Sequence, residues 1–173
     1  MDTFIKKSEN IDLSGEDIKN IVEHKLNLFS YHSLDRINSV EELIGEHKAC
    51  IILYETKENF GHWVALFEIA PNTLEFFDSY GMKMDEELNY AKYNHTPYLS
   101  NIVNNSNYSV LMNQTQLQVF KQDINTCGRW TALRLRMKNT KLKDFITLFT
   151  KNQMYNGDFW VSALTFIYTI EKI

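Results

Sequence analysis

Hydrophobic and polar positions along this chain follow two rhythms, and the places where one gives way to the other divide it into helical ends and a sheet-like middle. At Leu13-Ser14-Gly15-Glu16-Asp17-Ile18 a serine able to cap, an acidic residue three positions on and a flanking apolar pair predict a helix start. A second start lies at Ser39-Val40-Glu41-Glu42, running through Leu43-Ile44 to a stop at Gly45. Residues 1–12 carry weak periodicity and read as a mobile or docking tail. Ala49–Glu55 is a short apolar run, and His62–Ile69 and Leu74–Ser79 flank the turn composition Ala70-Pro71-Asn72-Thr73, which predicts an antiparallel hairpin. Both hairpin strands carry apolar residues on both faces, so the sheet should be covered on two sides.

Tyr108–Asn113 reads as a further strand, with Gln116–Phe120 a candidate extension. Between the hairpin and Tyr108, residues 84–107 read as a helix around Met84–Tyr93 followed by an Asn-rich loop. From Cys127 the rhythm is helical, over Cys127–Lys138, Leu142–Lys151 and Asp158–Ile170, with Asp158 as the expected cap of the last. Strands in the middle and helices at both ends predict an α+β fold, a central mixed or antiparallel sheet flanked by helices. A single globular domain is expected, with an N-terminal helical segment at 1–48 and a core at 49–173.

Composition narrows the function classes. A hydrophobic fraction of 44% against 23% charged residues is enough for a real core. A net charge of -4 argues against a nucleic-acid footprint, which needs clustered Lys and Arg. No apolar stretch is long enough to span a bilayer, and the opening MDTFIKKSEN lacks the apolar region of a signal peptide. Two cysteines, Cys50 and Cys127, cannot build a secreted-type disulfide framework, so a reducing compartment is expected. His24, His32, His47 and His95 show no metal-ligand spacing with one another or with either cysteine, and no metal or other cofactor is implied.

Within this frame one cysteine stands out. Cys127 opens a helix after a polar loop and directly before Gly128, where the helix dipole and free backbone N–H groups favour a thiolate. The glycine would let a substrate carbonyl approach the backbone. Cys50, inside the run ACIIL, fits a small buried hydrophobe instead. His62 begins one hairpin strand and Asp78 ends its partner, so both can reach the same edge of the sheet. A base oriented by a carboxylate beside such a thiol is the arrangement of an activated nucleophile. A two-residue turn at Pro71-Asn72 would set Asp78 opposite Ala65, on the wrong face for His62. Either His62 precedes the regular strand or a bulge intervenes. Arg129, Arg134 and Arg136 are available to an acidic partner or form a solvated helix face.

Four short motifs in order, Gly61-His62-Trp63, Phe77-Asp78-Ser79-Tyr80-Gly81, an upstream Gln, and Thr126-Cys127-Gly128-Arg129-Trp130, resemble the adenovirus-type endopeptidases and SUMO-specific proteases. The likeness is greatest to the proteases of large DNA viruses and related mobile elements, and it covers roughly residues 49–170. Asp158-Phe159-Trp160-Val161 is similar to the last helix of those viral enzymes. The glutamine departs from the pattern: Gln118 stands nine residues before Cys127 and Gln122 five before, on either side of the family's spacing. Gln118 follows a strand-like stretch that would fix its side chain, and Gln122 is the alternative.

The resemblance implies a papain-like superfamily fold with the site residues in the order His-Asp-Gln-Cys. It implies a cysteine peptidase in which Cys127 attacks, His62 exchanges the proton, Asp78 orients His62 and the glutamine donates to the oxyanion. Trp63 would flank a narrow substrate channel that selects Gly or Ala before the cut. The expected setting is maturation of viral structural precursors, in the virion or host cytoplasm, with a polypeptide as the partner and neither nucleic acid nor membrane. The alternatives are release of ubiquitin-like modifiers, acyl transfer to an amine, and a noncatalytic binding module on the same fold.

Overall fold

The computed structural model describes residues 2–23, 25–91, 95–151 and 154–170. Its centre is a five-stranded mixed sheet in the order β1-β2-β3-β4-β5: β1 (Asn27–Ser30), β2 (Ala49–Lys57), β3 (Phe60–Ala70), β4 (Thr73–Phe77) and β5 (Ser109–Met112). β1 runs parallel to β2 and β5 parallel to β4, while β2, β3 and β4 form an antiparallel meander. Helices lie on both faces, so the fold is α+β.

Side-chain alternation sorts the core into two layers. Odd-numbered strand residues (Ile51, Leu53, Trp63, Ala65, Phe67, Phe77) pack with α2 (Gly15–Val22), α5 (Cys127–Arg136) and α6 (Leu142–Thr150). Even-numbered ones (Cys50, Ile52, Tyr54, Val64, Leu66, Leu74, Phe76) pack with α3 (Val40–Ile44) and α4 (Tyr98–Asn104). A strand covered on both faces has no polar side to show, which is why β2 and β3 read as continuous apolar runs.

The expected caps at Ser14 and Ser39 are present. Ser14 and Asp17 close a capping box on α2, and Ser39 accepts from the Glu42 amide at the start of α3. Other expectations are corrected. Residues 2–8 form α1 (Asp2–Ser8), with Ile5 and Ser8 buried, so the described part of the expected tail is packed. Within residues 1–48 lies β1 as well as helices; its four residues are too short to announce themselves by alternation. Gln116–Phe120 is irregular, since the chain there hydrogen-bonds sideways to the Ser79 carbonyl through the Leu117 and Gln118 amides. The expected helix around 84–93 is a single 3-10 turn, Glu86–Asn89, and residues 92–94 lie outside the described set. The Asn-rich stretch contains α4, whose Leu99, Ile102 and Val103 supply one buried stripe. α7 (Gly157–Thr165) is capped by Asn156; Asp158 lies one position inside and turns to another task.

Candidate active site at the start of α5

The hairpin register settles whether His62 and Asp78 share a face. Ala70 pairs with Thr73, but Glu68 pairs with Leu74, so Ile69 is a one-residue bulge. Beyond it Ala65 faces Phe77; continuing that register sets Asp78 opposite Val64, two residues from His62 and on its face. His62 lies inside β3, paired with Tyr54, so the bulge is the device that restores parity.

The result is a direct contact. His62 Nε2 donates to Asp78 Oδ1 at 2.9 Å, with both side chains buried. Asp78 is itself held by a turn: its Oδ1 accepts from the Tyr80 amide at 2.7 Å, and its carbonyl accepts from Gly81 N–H and Asn113 Nδ2. Gly81 sits at φ +74°, where a Cβ would lie 2.8 Å from the Thr115 backbone, so this turn requires glycine. The Tyr80 ring stacks on the imidazole at 4.5 Å and 16°.

Cys127 is the first residue of α5. The thiol is close enough to the His62 ring to raise that ring's affinity for a proton, and its Sγ lies 4.0 Å from the Gly61 carbonyl oxygen. With Nε2 engaged by Asp78, Nδ1 is the nitrogen left for sulfur. Burial presses the imidazole toward neutrality, but the charge and hydrogen bond of Asp78, reinforced by Cys127, outweigh it and hold the ring's pKa well above its usual value. Cys50, fully buried on the opposite layer, has its thiol pushed far up by desolvation.

Gln118 is buried and reaches the rim of this site. Its Oε1 accepts from Ser79 Oγ at 2.7 Å, while Nε2 donates to the Tyr80 hydroxyl at 3.2 Å and to the Ile124 carbonyl at 3.1 Å. Gln122 is exposed in the turn before α5. Trp63 is mostly buried, its Nε1 donating to the Leu13 carbonyl at 2.9 Å, and one edge lines a cavity of about 30 Å³ beside Cys127. Asp12, Leu13, Leu53, Asn59, Phe60 and Gly61 complete that slot. Residues 9–13 thus run past the start of α5, and the Asn125 amide donates to the Glu9 carbonyl at 2.7 Å. Gly128 faces this segment: a Cβ there would stand 3.0 Å from Leu13 Cβ. Close packing is thus a further reason for glycine at this position.

Three groups escaped the sequence reading. Asp158 is buried and accepts from Thr126 Oγ1, from Trp130 Nε1 at 2.9 Å and from the Val119 amide at 2.8 Å, tying α7 to the start of α5. Its sequence signal was its place in Asp-Phe-Trp, where it reads as a cap. Tyr80 stood inside a quoted motif without a role. Glu87, in an acidic run that resembles a solvated helix start, is buried with Oε1 at 3.7 Å from His62 Nε2. His62, Asp78 and Glu87 each offer one potential ligand atom within 4.8 Å of the others. The short Nε2–Oδ1 contact gives that imidazole edge to a proton, the arrangement of an acid–base cluster.

The arginines of α5 are not a free basic face. Arg134 is buried and meets Glu75 through two bonds, Nε–Oε1 at 2.7 Å and a terminal guanidinium nitrogen to Oε2 at 2.8 Å. Arg129 is buried against the hydroxyls of Thr165 and Thr169, and desolvation brings its pKa down to about 10. Arg136, on the exposed side, pairs with Glu23 at 2.9 Å. Of the other histidines, His32 pairs with Glu55, His47 lies beside Glu46, and His24 lies outside the described residues.

No known family's sequence profile matches the chain. An uncharacterized protein of Sputnik virophage, V9, is 33% identical over 148 residues, spanning 82% of this chain and 85% of that protein. The chain belongs to the V9 family. A looser likeness, with a TM-score of 0.49 at 18% identity, covers 94% of the chain and 99% of the central domain of an uncharacterized Legionella pneumophila protein. Among the described residues no helix is long and apolar enough to cross a membrane.

Proposed function

We propose that this chain is a cysteine peptidase of the adenovirus-endopeptidase and SUMO-protease type. The observation that carries the reading is the meeting of three groups remote in sequence: the thiol at the start of α5, the His62 ring beside it, and the buried Asp78 carboxylate bonded to that ring at Nε2. A free cysteine packed only as a hydrophobe has no need of an imidazole held by a carboxylate.

In this reading His62, its affinity for a proton raised by Asp78, takes and holds the proton of the Cys127 thiol. Cys127 Sγ attacks the scissile carbonyl carbon, and the oxygen takes up the negative charge. His62 delivers its proton to the leaving amine, leaving an acyl-thioester. Neutral His62 then takes a proton from water, whose oxygen attacks the thioester; the acid product leaves and the proton returns to the site. The Cys127 backbone N–H is one donor for the oxyanion. Gln118 is the second, and reaches it by exchanging the Tyr80 hydroxyl for the substrate oxygen. The slot beside Cys127, bounded by Trp63 and Leu13, is narrow at about 30 Å³, which supports a small residue, Gly or Ala, before the cut. Kinship with a virophage protein favours a structural precursor in an assembling particle as substrate.

The test takes purified full-length chain through two assays. Iodoacetamide mapping at pH 6 should label Cys127 and spare Cys50; equal labelling rejects the nucleophile assignment. Peptides with Gly or Ala before the scissile bond should be cleaved, and Cys127→Ala should abolish this. Labelling of Cys127 by activated ubiquitin-like probes without peptide cleavage would replace the precursor by a ubiquitin-like substrate.

A further inference from the structure

The base at this site faces two carboxylates. Asp78 Oδ1 is 2.9 Å from His62 Nε2, and Glu87 Oε1 approaches the same nitrogen to 3.7 Å. Both acids are buried, and each leaves an oxygen without a hydrogen-bond partner, Oδ2 of Asp78 and Oε1 of Glu87. Two ionised carboxylates at one imidazole edge would repel each other, and the two bare oxygens would lack any donor. A single proton on Glu87 cures both defects. It removes one of two like charges and supplies a donor inside the cluster, where Asp78 Oδ2 is the acceptor lacking one.

We infer that Glu87 is a positioning residue that works as a neutral acid, sharing its proton with Asp78 and so fixing at one the number of negative charges facing His62. The inference rests on the peptidase reading for its catalytic consequence, and on the His62–Asp78–Glu87 geometry alone for its structural one. The groups facing Glu87 are His62 from β3, Asp78 and Tyr80 from the turn after β4, and Glu86 on its own 3-10 turn. Burial, aided by the charge of Asp78 and against the pull of His62, pushes its carboxyl up to about 7.

The consequence falls on one half of the cycle. While Glu87 holds its proton, His62 faces one carboxylate and can alternate between imidazolium and imidazole. Loss of that proton places a second negative charge beside Nε2 and holds the ring as imidazolium. The thiolate is unaffected by this, but an imidazolium cannot accept a proton from water, so deacylation slows as pH rises through Glu87's titration. The device limits turnover on the alkaline side without disarming the nucleophile.

The experiment compares wild type with Glu87→Gln and Glu87→Asp in the full-length chain, by imidazole NMR titration of His62 and by kcat against pH. Wild type and Glu87→Asp should show a His62 chemical-shift inflection near neutral pH that Glu87→Gln lacks. The ratio of Glu87→Gln to wild-type kcat should rise about tenfold, one pH unit's worth, between pH 6 and pH 8. Superimposable His62 titrations in wild type and Glu87→Gln overturn the inference. An inflection lost in Glu87→Gln in a protein that cleaves no peptide upholds the cluster and rejects the peptidase reading.

Discussion

Helix α5 is anchored by buried charge at both ends, and the two ends are built differently. Toward its C-terminal end, Arg134 meets Glu75 through two parallel bonds and spends a further pair on the carbonyls of Met137 and Thr140. Phe67 and Phe145 pack against the guanidinium. At the N-terminal end, His62, Asp78 and Glu87 gather beside Cys127 with two carboxylate oxygens left bare and a ring whose protonation is contested between burial and charge. A buried ion pair whose partners satisfy each other holds one state and resists change. A buried cluster left short of donors can exchange protons at small cost, which general acid–base chemistry requires. On the proposed reading, the difference separates a structural use of buried charge from a catalytic one on a single ten-residue helix.

The largest effect expected from breaking this comparison is at the reactive end. His62→Ala should lower kcat/KM on small-residue peptides by on the order of 10⁴-fold or more. At the other end Arg134→Ala leaves Glu75 buried without a partner and should cost about 3–5 kcal/mol of stability by urea denaturation. The folded fraction of that variant should keep its kcat. Replacing both partners, Arg134→Met with Glu75→Leu, should restore most of the stability, since similar-sized apolar residues remove the desolvation cost. A double variant as unstable as the single one would show that the pair contributes more than mutual neutralisation.

How much of this was legible before the fold differs between the two ends. The reactive end was readable because its chemistry needs particular residue types in order: His62 and Asp78 on a hairpin, then Cys127 before Gly128 at a helix start. The parity conflict left two explanations open, His62 before the regular strand or a bulge, and the structure has the bulge at Ile69. The structural end was not readable, because Arg134 and Glu75 are 59 positions apart and nothing local marks either as buried. Glu87 was hidden by the same cause, since an Asp-Glu-Glu run looks solvated until tertiary packing covers it. β1 was missed because it is only four residues long and its exposed position is the apolar Leu28, and α4 because it is short and lies in an Asn-rich stretch. Residues 1–12 read as a tail because contacts such as those of Glu9 and Asn10 with Asn125 are distant in sequence.

Gln118 lies between the two extremes, satisfied at rest and assigned to the oxyanion in the proposed mechanism. Its Oε1 and both N–H groups are engaged, so it should behave partly as each end does. Gln118→Ala should lower kcat on the order of 10²–10³-fold, about 2.7–4 kcal/mol, the usual cost of an oxyanion donor. It should also lose about 1–3 kcal/mol of stability, since Ser79 Oγ loses its acceptor and the Ile124 carbonyl its donor. Gln122→Ala, in an exposed turn, should stay within about tenfold of wild type. A stability loss in Gln118→Ala with kcat intact would reduce Gln118 to a structural brace and leave the Cys127 amide as the oxyanion's donor.

The smallest effect sharpens the comparison by removing burial from it. Arg136 and Glu23 also form a 2.9 Å ion pair on α5, but their side chains are 36% and 55% exposed. Water already solvates both charges there, so the Coulomb gain is small and is offset by the entropy of holding two long side chains. Arg136 also donates to the Ile21 carbonyl at 2.7 Å and lies over the Tyr168 ring, so some packing is lost with it. Arg136→Ala should therefore cost no more than about 1 kcal/mol in urea denaturation, and the loss should shrink as salt is added. Arg134→Ala, two residues away in sequence, should show little salt dependence because its pair is closed to counterions. Equal salt sensitivity in the two variants would mean that Arg134 and Glu75 are open to solvent, and the contrast between the ends of α5 would then rest on the His62 cluster alone.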